Sequence, residues 1–179
     1  MDTKTTIILL YGLPGVGKQT VGEELEKLTG LPLLNNHLVL DIVQKFIPKE
    51  FPEGKGVEKG FRIDLLNGVL KTKLKGMIIT FTGGSSGAEE FIKECVACAE
   101  THNGAIHLVE LQCSMDELVK RIKEPSRLLH TKISTEEELQ EFLEQPNAKA
   151  SASRPATIID NSNLPPKDCA ALIAQKLQL

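Results

Sequence analysis

Tryptophan is absent, tyrosine occurs once, and aromatic residues make up only 4% of the chain. The stacking platforms of single-strand nucleic-acid binders are therefore not expected. Neither sign of charge dominates: 21 Lys and Arg stand against 24 Asp and Glu, for a formal net charge of -3. Such a balance gives no general pull toward nucleic acid or an anionic membrane. No apolar run approaches the roughly 20 residues of a membrane span. The opening MDTKTT passes directly into a short apolar run, without the long h-region and cleavage site of a secretory signal. Cysteine is sparse, at Cys95, Cys98, Cys113 and Cys169. Cys95 and Cys98 form a CxxC, but within a helical pattern (EEFIKECVACAE) and without a second pair. Small residues buried on one helix face is the favoured reading, with a zinc or redox site as the alternative. These absences point to a soluble cytoplasmic protein of a reducing compartment without nucleic-acid or membrane partners; a monomer or weak dimer is expected, though nothing in these features decides it.

What is present suits a single domain spanning 1–179, since 179 residues at 41% hydrophobic content can bury one sizeable core. Five short aliphatic runs stand out: TTIILLY (5–11), LPLLN (31–35), GMIITFT (76–82), AIHLVEL (105–111) and ATIID (156–160). Most are apolar on both faces, as strands of a covered parallel sheet are. Segments of helical spacing separate them. VGEELEKLTG stops at Gly30, a good C-cap. Residues 57–75 place Phe61, Leu65, Leu66, Val69, Leu70 and Leu74 along one stripe, and 89–101 form another helix. SMDELVKRIKE opens with Ser114 and Glu117 as a capping box, STEEELQEFLEQ repeats that signal with Ser134 and Glu137, and PPKDCAALIAQKLQL follows the last strand. Alternating strands and helices predict βαβ units and a doubly wound α/β fold. IPKEFPEGKG (47–56) reads as a mobile connection. EPSRLLHTKI (124–133) reads as part of a lid over about 122–135.

The chemistry concentrates in GLPGVGKQT, from Gly12 to Thr20. A buried-type strand precedes this stretch and an amphipathic helix follows it. In that setting the backbone N–H groups of a glycine loop and a helix N-terminus point at a phosphate. Gly12, Gly15 and Gly17 permit close backbone approach, and Lys18 reaches the β- and γ-phosphates. Pro14, Val16, Gln19 and Thr20 complete the nucleotide-binding stretch. The usual signature has Ser or Thr directly after the lysine; here Gln19 occupies that place and the hydroxyl follows at Thr20. This GxPGxGKxT form resembles the loop of adenylate kinases, with Thr20 expected near Mg²⁺ or the α/β-phosphates.

Beyond the loop, the chain from Thr5 to about Leu177 resembles the small P-loop kinases of the shikimate kinase and nucleoside monophosphate kinase group. The layout is nearest the shikimate-kinase-like branch. The resemblance implies a P-loop NTPase fold: a three-layer α/β/α sandwich with a five-stranded parallel sheet and a short lid that closes over ATP. VEKGFRID (57–64) is similar to the family element whose Arg binds the acceptor carboxylate, here Arg62. TFTGGSS (80–86) looks like the glycine-rich turn that lines the acceptor pocket, with Gly83 and Gly84. RIKEPSRLLH (121–130) is similar to the lid, whose arginines match Arg121 near adenine and Arg127 at the transferring phosphate. IIDNSNLPP (158–166) resembles the loop that borders adenine, with Pro165 or Pro166 against the base.

The departures are as informative. LPLLNNH sits where the family carries two acids, one organising Mg²⁺ waters and one taking the acceptor proton; here those positions hold Asn35 and His37. His37 could act as a base at neutral pH or hydrogen-bond an acceptor. Asp41, one helical turn on, could orient that ring or replace the missing acid. The acceptor-binding Arg expected before the last strand is also missing, since only Lys149 and Arg154 occur there, out of register. TFTGGSS likewise lacks the acid and arginine of adenylate kinases.

The resulting expectation is an ATP- and Mg²⁺-dependent phosphotransferase acting on a small hydroxylated molecule. Lys18, Arg127, His37 and Asp41 are its catalytic candidates. Arg121 and Pro166 join the loop in nucleotide binding, Thr20 serves the metal, and His37, Arg62, Gly83 and Gly84 serve the acceptor. The alternatives are an ATP- or ADP-binding module with little transfer activity, and a nucleoside monophosphate kinase-like enzyme.

Overall fold

A computed structural model of the chain describes residues 4–72, 74–85, 87–127, 132–148 and 155–179. Five strands, β1 (Thr6–Gly12), β2 (Leu33–Leu34), β3 (Gly76–Thr82), β4 (Ala105–Gln112) and β5 (Thr157–Asp160), form one sheet in the order β2-β3-β1-β4-β5. Every pairing is parallel. The helices are α1 (Lys18–Thr29), α2 (Asn36–Phe46), α3 (Gly54–Leu70), α4 (Ala88–Thr101), α5 (Met115–Ile122), α6 (Glu136–Leu143) and α7 (Pro166–Leu177), with a 3₁₀ turn at Pro125–Arg127.

Alternation along β1 divides the core into two layers. Ile7, Leu9 and Tyr11 face a cluster with Val39 and Val43 of α2, Leu66 and Leu70 of α3, and Phe91 and Cys95 of α4. Ile8 and Leu10 face Val21 and Leu25 of α1, Leu118 and Ile122 of α5, Leu139 of α6 and Ile173 of α7. Since both faces are covered, the central strands read as unbroken apolar runs. The helix after β1 packs on one face and the helix after β3 on the other. Those two strands are neighbours, so their carboxyl ends open a crevice, the usual ligand position in such sheets.

Several local expectations shift. The helix expected over 57–75 begins at Gly54 and ends at Leu70, so the first turn of α3 absorbs the end of the connection 47–56. Its apolar stripe is only half used: Leu66, Val69 and Leu70 are buried, while Phe61, Leu65 and Leu74 are exposed. Arg62 takes a buried position between them. The cap of α6 is Thr135 rather than Ser134: Thr135 and Glu138 form the reciprocal capping box, and the Ser134 N–H also donates to Glu138. At α5 the expected capping box is half made: the Ser114 hydroxyl accepts from the Glu117 N–H, but the Ser114 N–H donates to Ser162 Oγ and the Glu117 carboxylate accepts from Arg121 instead. Of the lid region, residues 128–131 lie outside the described residues, as do Ser86, Lys149 and Arg154.

The CxxC follows the packing reading. Cys95 is fully buried in the core, Cys98 packs half-buried against the same cluster, and burial pushes the Cys95 thiol well above its usual range. No helix among the described residues is long and apolar enough to cross a membrane. In a native-state alkylation experiment read by mass spectrometry, Cys98 should react while Cys95 stays protected until the chain unfolds. Equal native labelling of both would show that Cys95 is not sealed in the core.

Candidate active site

The site begins where β1 runs out of strand. At Gly12 the chain turns with φ 146° directly under β4, and a Cβ there would lie 2.3 Å from the Leu111 carbonyl oxygen. Only glycine fits that approach. At Gly15, with φ 88°, a Cβ would meet Ile122 and Leu118 of α5, so the loop lies pressed against that helix. Val16 is buried in the same layer and fixes the loop from below. Gly17 caps α1 without a side-chain hydrogen bond, and the first turn of α1 carries no acidic residue. A helix N-terminus of this kind offers its N–H groups and positive dipole end to an anion.

Lys18 folds back over the loop, and its Nζ donates to the carbonyls of Gly12 (2.9 Å) and Leu13 (2.8 Å). The residue is half-buried by surface exposure, yet its ammonium is strongly desolvated. Burial first, and the nearby Arg127 guanidinium second, lower its pKa to about 7. Thr20 lies exposed in the first turn and donates its hydroxyl proton to the Gly17 carbonyl (2.9 Å). Its oxygen lone pairs remain available. Mg²⁺ is commonly held by one or two protein oxygens together with substrate phosphates. Among the described residues no group of three His, Cys, Asp or Glu side chains could cage a metal. A single hydroxyl beside a phosphate cradle therefore fits Mg²⁺ brought with a nucleotide.

A clamp fixes the loop to the far end of the sheet. Asn161, 2% exposed at the end of β5, donates from Nδ2 to the Val16 carbonyl at 2.8 Å. Arg121 of α5 donates from Nη1 to the Val16 carbonyl and to Asn161 Oδ1, both at 3.1 Å. Its Nη2 reaches the Asn161 carbonyl at 2.8 Å and its Nε pairs with Glu117 at 2.8 Å. Arg121 thus sits between the glycine loop and the β5–α7 loop, and Pro166 opens α7 where that loop ends. The edge of its guanidinium is engaged by protein. Asn161 lies within IIDNSNLPP as one of four consecutive polar residues, 160–163, and nothing in the sequence singled it out from its neighbours.

On the other flank, Arg62 is 7% exposed and donates from Nη2 to Asn36 Oδ1 at 2.8 Å, while its buried Nε has no partner. Burial pulls the guanidinium below its usual range. Arg62 and Asn36 line a cleft of about 420 Å³ together with Lys55, Glu58, Thr82 and Glu90. Asn36 is held in turn by its N–H, which donates to Thr80 Oγ1 at 2.9 Å. Asn35 does different work from an organiser of metal waters, because its side chain caps α2 by accepting from the Leu38 N–H at 2.8 Å. His37 and Asp41 lie one turn apart on α2, and His37 is not among the residues lining the cleft. Gly83 and Gly84 line a second hollow of about 300 Å³ with Gly12, Glu110 and Cys113. The acceptor-side candidates therefore divide: Arg62 faces one hollow and the glycine pair the other.

A glycine loop capping a helix at the end of the first of five parallel strands, with a desolvated lysine over it, defines a P-loop kinase fold. The chain belongs to the AAA domain family, whose model matches residues 8–143. Over 139 residues it is 26% identical to a shikimate kinase of Bartonella quintana (strain Toulouse), a match covering 77% of this chain and 63% of that enzyme. The chain thus spans 63% of the length of that curated relative. A shikimate kinase from Acinetobacter baumannii, solved in complex with shikimate, superposes with a TM-score of 0.62 at 23% identity, covering 99% of this chain and 94% of that one. An unliganded sugar kinase from Janibacter sp. HTCC2649 superposes with a TM-score of 0.67 at 15% identity, covering 97% and 95%. These structural neighbours are P-loop small-molecule kinases and share the fold of this chain.

Because Asn161 is buried and bonded at both ends of its amide, its removal should loosen the loop against the sheet. Asn161→Ala is expected to lower the unfolding free energy by about 1–3 kcal/mol in urea titrations. A change within about 0.5 kcal/mol, the range of ordinary surface substitutions, would show that the clamp carries little.

Proposed function

We propose that this protein is an ATP-dependent, Mg²⁺-assisted kinase that moves the γ-phosphoryl group to the hydroxyl of a small anionic metabolite. The observation that carries this reading is Lys18: a desolvated ammonium, further destabilised by Arg127, over an uncapped helix N-terminus. A cation held this way is under-compensated until a polyphosphate arrives. Phosphoryl transfer is mostly positioning and charge stabilisation, which a loop, a lysine and a second cation can supply. On this reading the glycine loop from Gly12 to Thr20 holds the phosphates. Arg121 and Pro166 border the base, and Arg127 meets the transferring group. Thr20 would hold Mg²⁺ brought with the nucleotide, and the ion would supply charge neutralisation to the phosphates.

For the acceptor, the cleft beside Arg62 supports a small molecule carrying a carboxylate or another anionic group. Its hydroxyl oxygen would attack the γ-phosphorus as the bond to the β-bridging oxygen breaks and ADP leaves. The hydroxyl proton would pass to His37, which follows the cleft-lining Asn36 on α2 with Asp41 on the same helix face, only where the acceptor reaches past Arg62 toward that residue. Gly83 and Gly84, which line the neighbouring hollow beside Gly12, would border only the part of an acceptor that extends toward the glycine loop. The mixed charge of the cleft wall, with Lys55 and Arg62 against Glu58 and Glu90, favours a polar, hydroxylated molecule over an apolar one.

One observation favours a second reading, an ATP- or ADP-binding module with little transfer activity. Asn35 spends its side-chain oxygen on a helix cap, and no acid takes the place expected for organising metal-bound water. ADP release from ATP and Mg²⁺ separates the two, with pooled hydroxylated carboxylates, sugar acids, nucleosides and nucleoside monophosphates as acceptors. One pool should stimulate release, Lys18→Ala should cut that release by about a hundredfold or more, and Arg62→Ala should raise the KM of the stimulating acceptor. Tight ATP binding with no stimulation by any pool would instead support the binding module.

A further inference from the structure

Gln19 occupies the position where the usual loop carries a hydroxyl, and both ends of its amide are in use. Its Nε2 donates to Glu23 Oε1, one turn along α1, at 2.9 Å. Its Oε1 accepts from Lys132 Nζ at 3.2 Å. A carboxamide has one accepting and one donating end, so it can join an ammonium to a carboxylate without carrying charge itself. A hydroxyl on a single carbon would be too short to make both contacts across this distance. Lys132 is thereby fixed to the residue that directly follows Lys18.

Arg127 belongs to the same small assembly. Its Nε donates to the Ile133 carbonyl at 2.7 Å, so Arg127 is tied to the residue next to Lys132. Its guanidinium acts electrostatically on both Lys18 and Lys132. Lys132 is pulled below its usual range, first by burial and then by Arg127, with Glu23 and Asp41 opposing. Three cations thus gather around the start of α1, near a helix end that is itself positive. Such crowding is unfavourable in the empty protein and becomes favourable with a multiply charged anion.

From this geometry we infer that Lys132 is a third phosphate-facing cation, beside Lys18 and Arg127, and that Gln19 is the positioning residue that holds it there. This inference rests on the nucleotide reading above and deepens it, assigning the site a preference for the more highly charged polyphosphate. It also gives a physical reason for the displaced hydroxyl of the loop: the position after Lys18 serves the cation, and Thr20 is left for the metal.

Calorimetric titration with ATP, ADP and AMP tests it, using the wild-type protein and the variants Lys132→Ala, Lys132→Arg, Gln19→Ala, the double variant Gln19→Ala/Lys132→Ala, and Lys18→Ala. Thermal melts confirm that each variant folds. Lys132→Ala should weaken ATP about tenfold and ADP less, with Lys132→Arg recovering most of the loss. Gln19→Ala should reproduce part of that pattern and add little to Lys132→Ala in the double variant, which a merely structural role for Gln19 would not do. Wild-type ATP affinity in Lys132→Ala, alongside a loss in Lys18→Ala, would overturn the role of Lys132 and leave the nucleotide reading intact. Equal losses for ATP, ADP and AMP, or fully additive effects of the two substitutions, would also overturn it. If the wild-type protein bound none of the three nucleotides, both readings would fall together.

Discussion

Lys18 carries its ammonium into a place where two backbone carbonyls, those of Gly12 and Leu13, supply its hydrogen bonds. Much of the surrounding structure serves to keep it there. The turn at Gly12 lets β1 pass beneath the Leu111 carbonyl and turn toward α1. The contact of Gly15 with α5 and the burial of Val16 stop the loop from relaxing away from the sheet. Asn161 and Arg121 then tie the loop to the end of β5 through the Val16 carbonyl. A loop held from three sides keeps its cation partly desolvated, and preorganisation of this kind makes a charged site effective in a low-dielectric setting.

The sheet topology explains why a second site can lie beside the first. Helices leave the neighbouring strands β1 and β3 for opposite faces, so the crevice at their ends is bounded by the glycine loop on one side and by α2, α3 and the β3–α4 turn on the other. Arg62 occupies a core-facing position on α3, where an aliphatic side chain would pack as well. Its buried Nε without a partner is a cost that packing alone does not explain. Asn36 offsets part of that cost, and Thr80 on β3 fixes Asn36. The polar groups of the cleft therefore form a connected set that reaches back to the sheet, consistent with a proposed role in orienting an acceptor.

Much of the architecture was legible in the sequence because the five strands are short, aliphatic and separated by helical spacing, and their bounds shift by a residue or two. The glycine loop was legible for a stronger reason: its residue types are dictated by close backbone approach rather than by propensity. Other features were hidden. Residues 36–46 carry apolar side chains at Leu38, Val39, Leu40, Ile42 and Val43, too dense a run to reveal which face of α2 is buried. The stripe on α3 misled because Phe61 and Leu65 share a helical face yet lie exposed, while Arg62 is buried. Ser134 and Thr135 are adjacent hydroxyls before a glutamate run, so the sequence offers both as caps, and in the structure Thr135 takes the place. The contacts Gln19–Lys132, Arg62–Asn36 and Arg121–Asn161 join residues 113, 26 and 40 positions apart, distances over which a single sequence gives no sign of contact.

The central claim is that this cluster of cations is built for a polyphosphate, and the proton on Lys18 reports it most directly. With its pKa at about 7 in the empty site, Lys18 is largely neutral at pH 8. A bound polyphosphate favours the ammonium and raises that pKa, so binding must draw a proton from solution. Titration of the protein with ATP at pH 8, in buffers of different ionisation enthalpy, measures that uptake. The account predicts an uptake approaching about one proton per nucleotide, falling toward zero at pH 6 and lost in Lys18→Ala. Binding at pH 8 without proton uptake, or with an uptake that persists in Lys18→Ala, would contradict it.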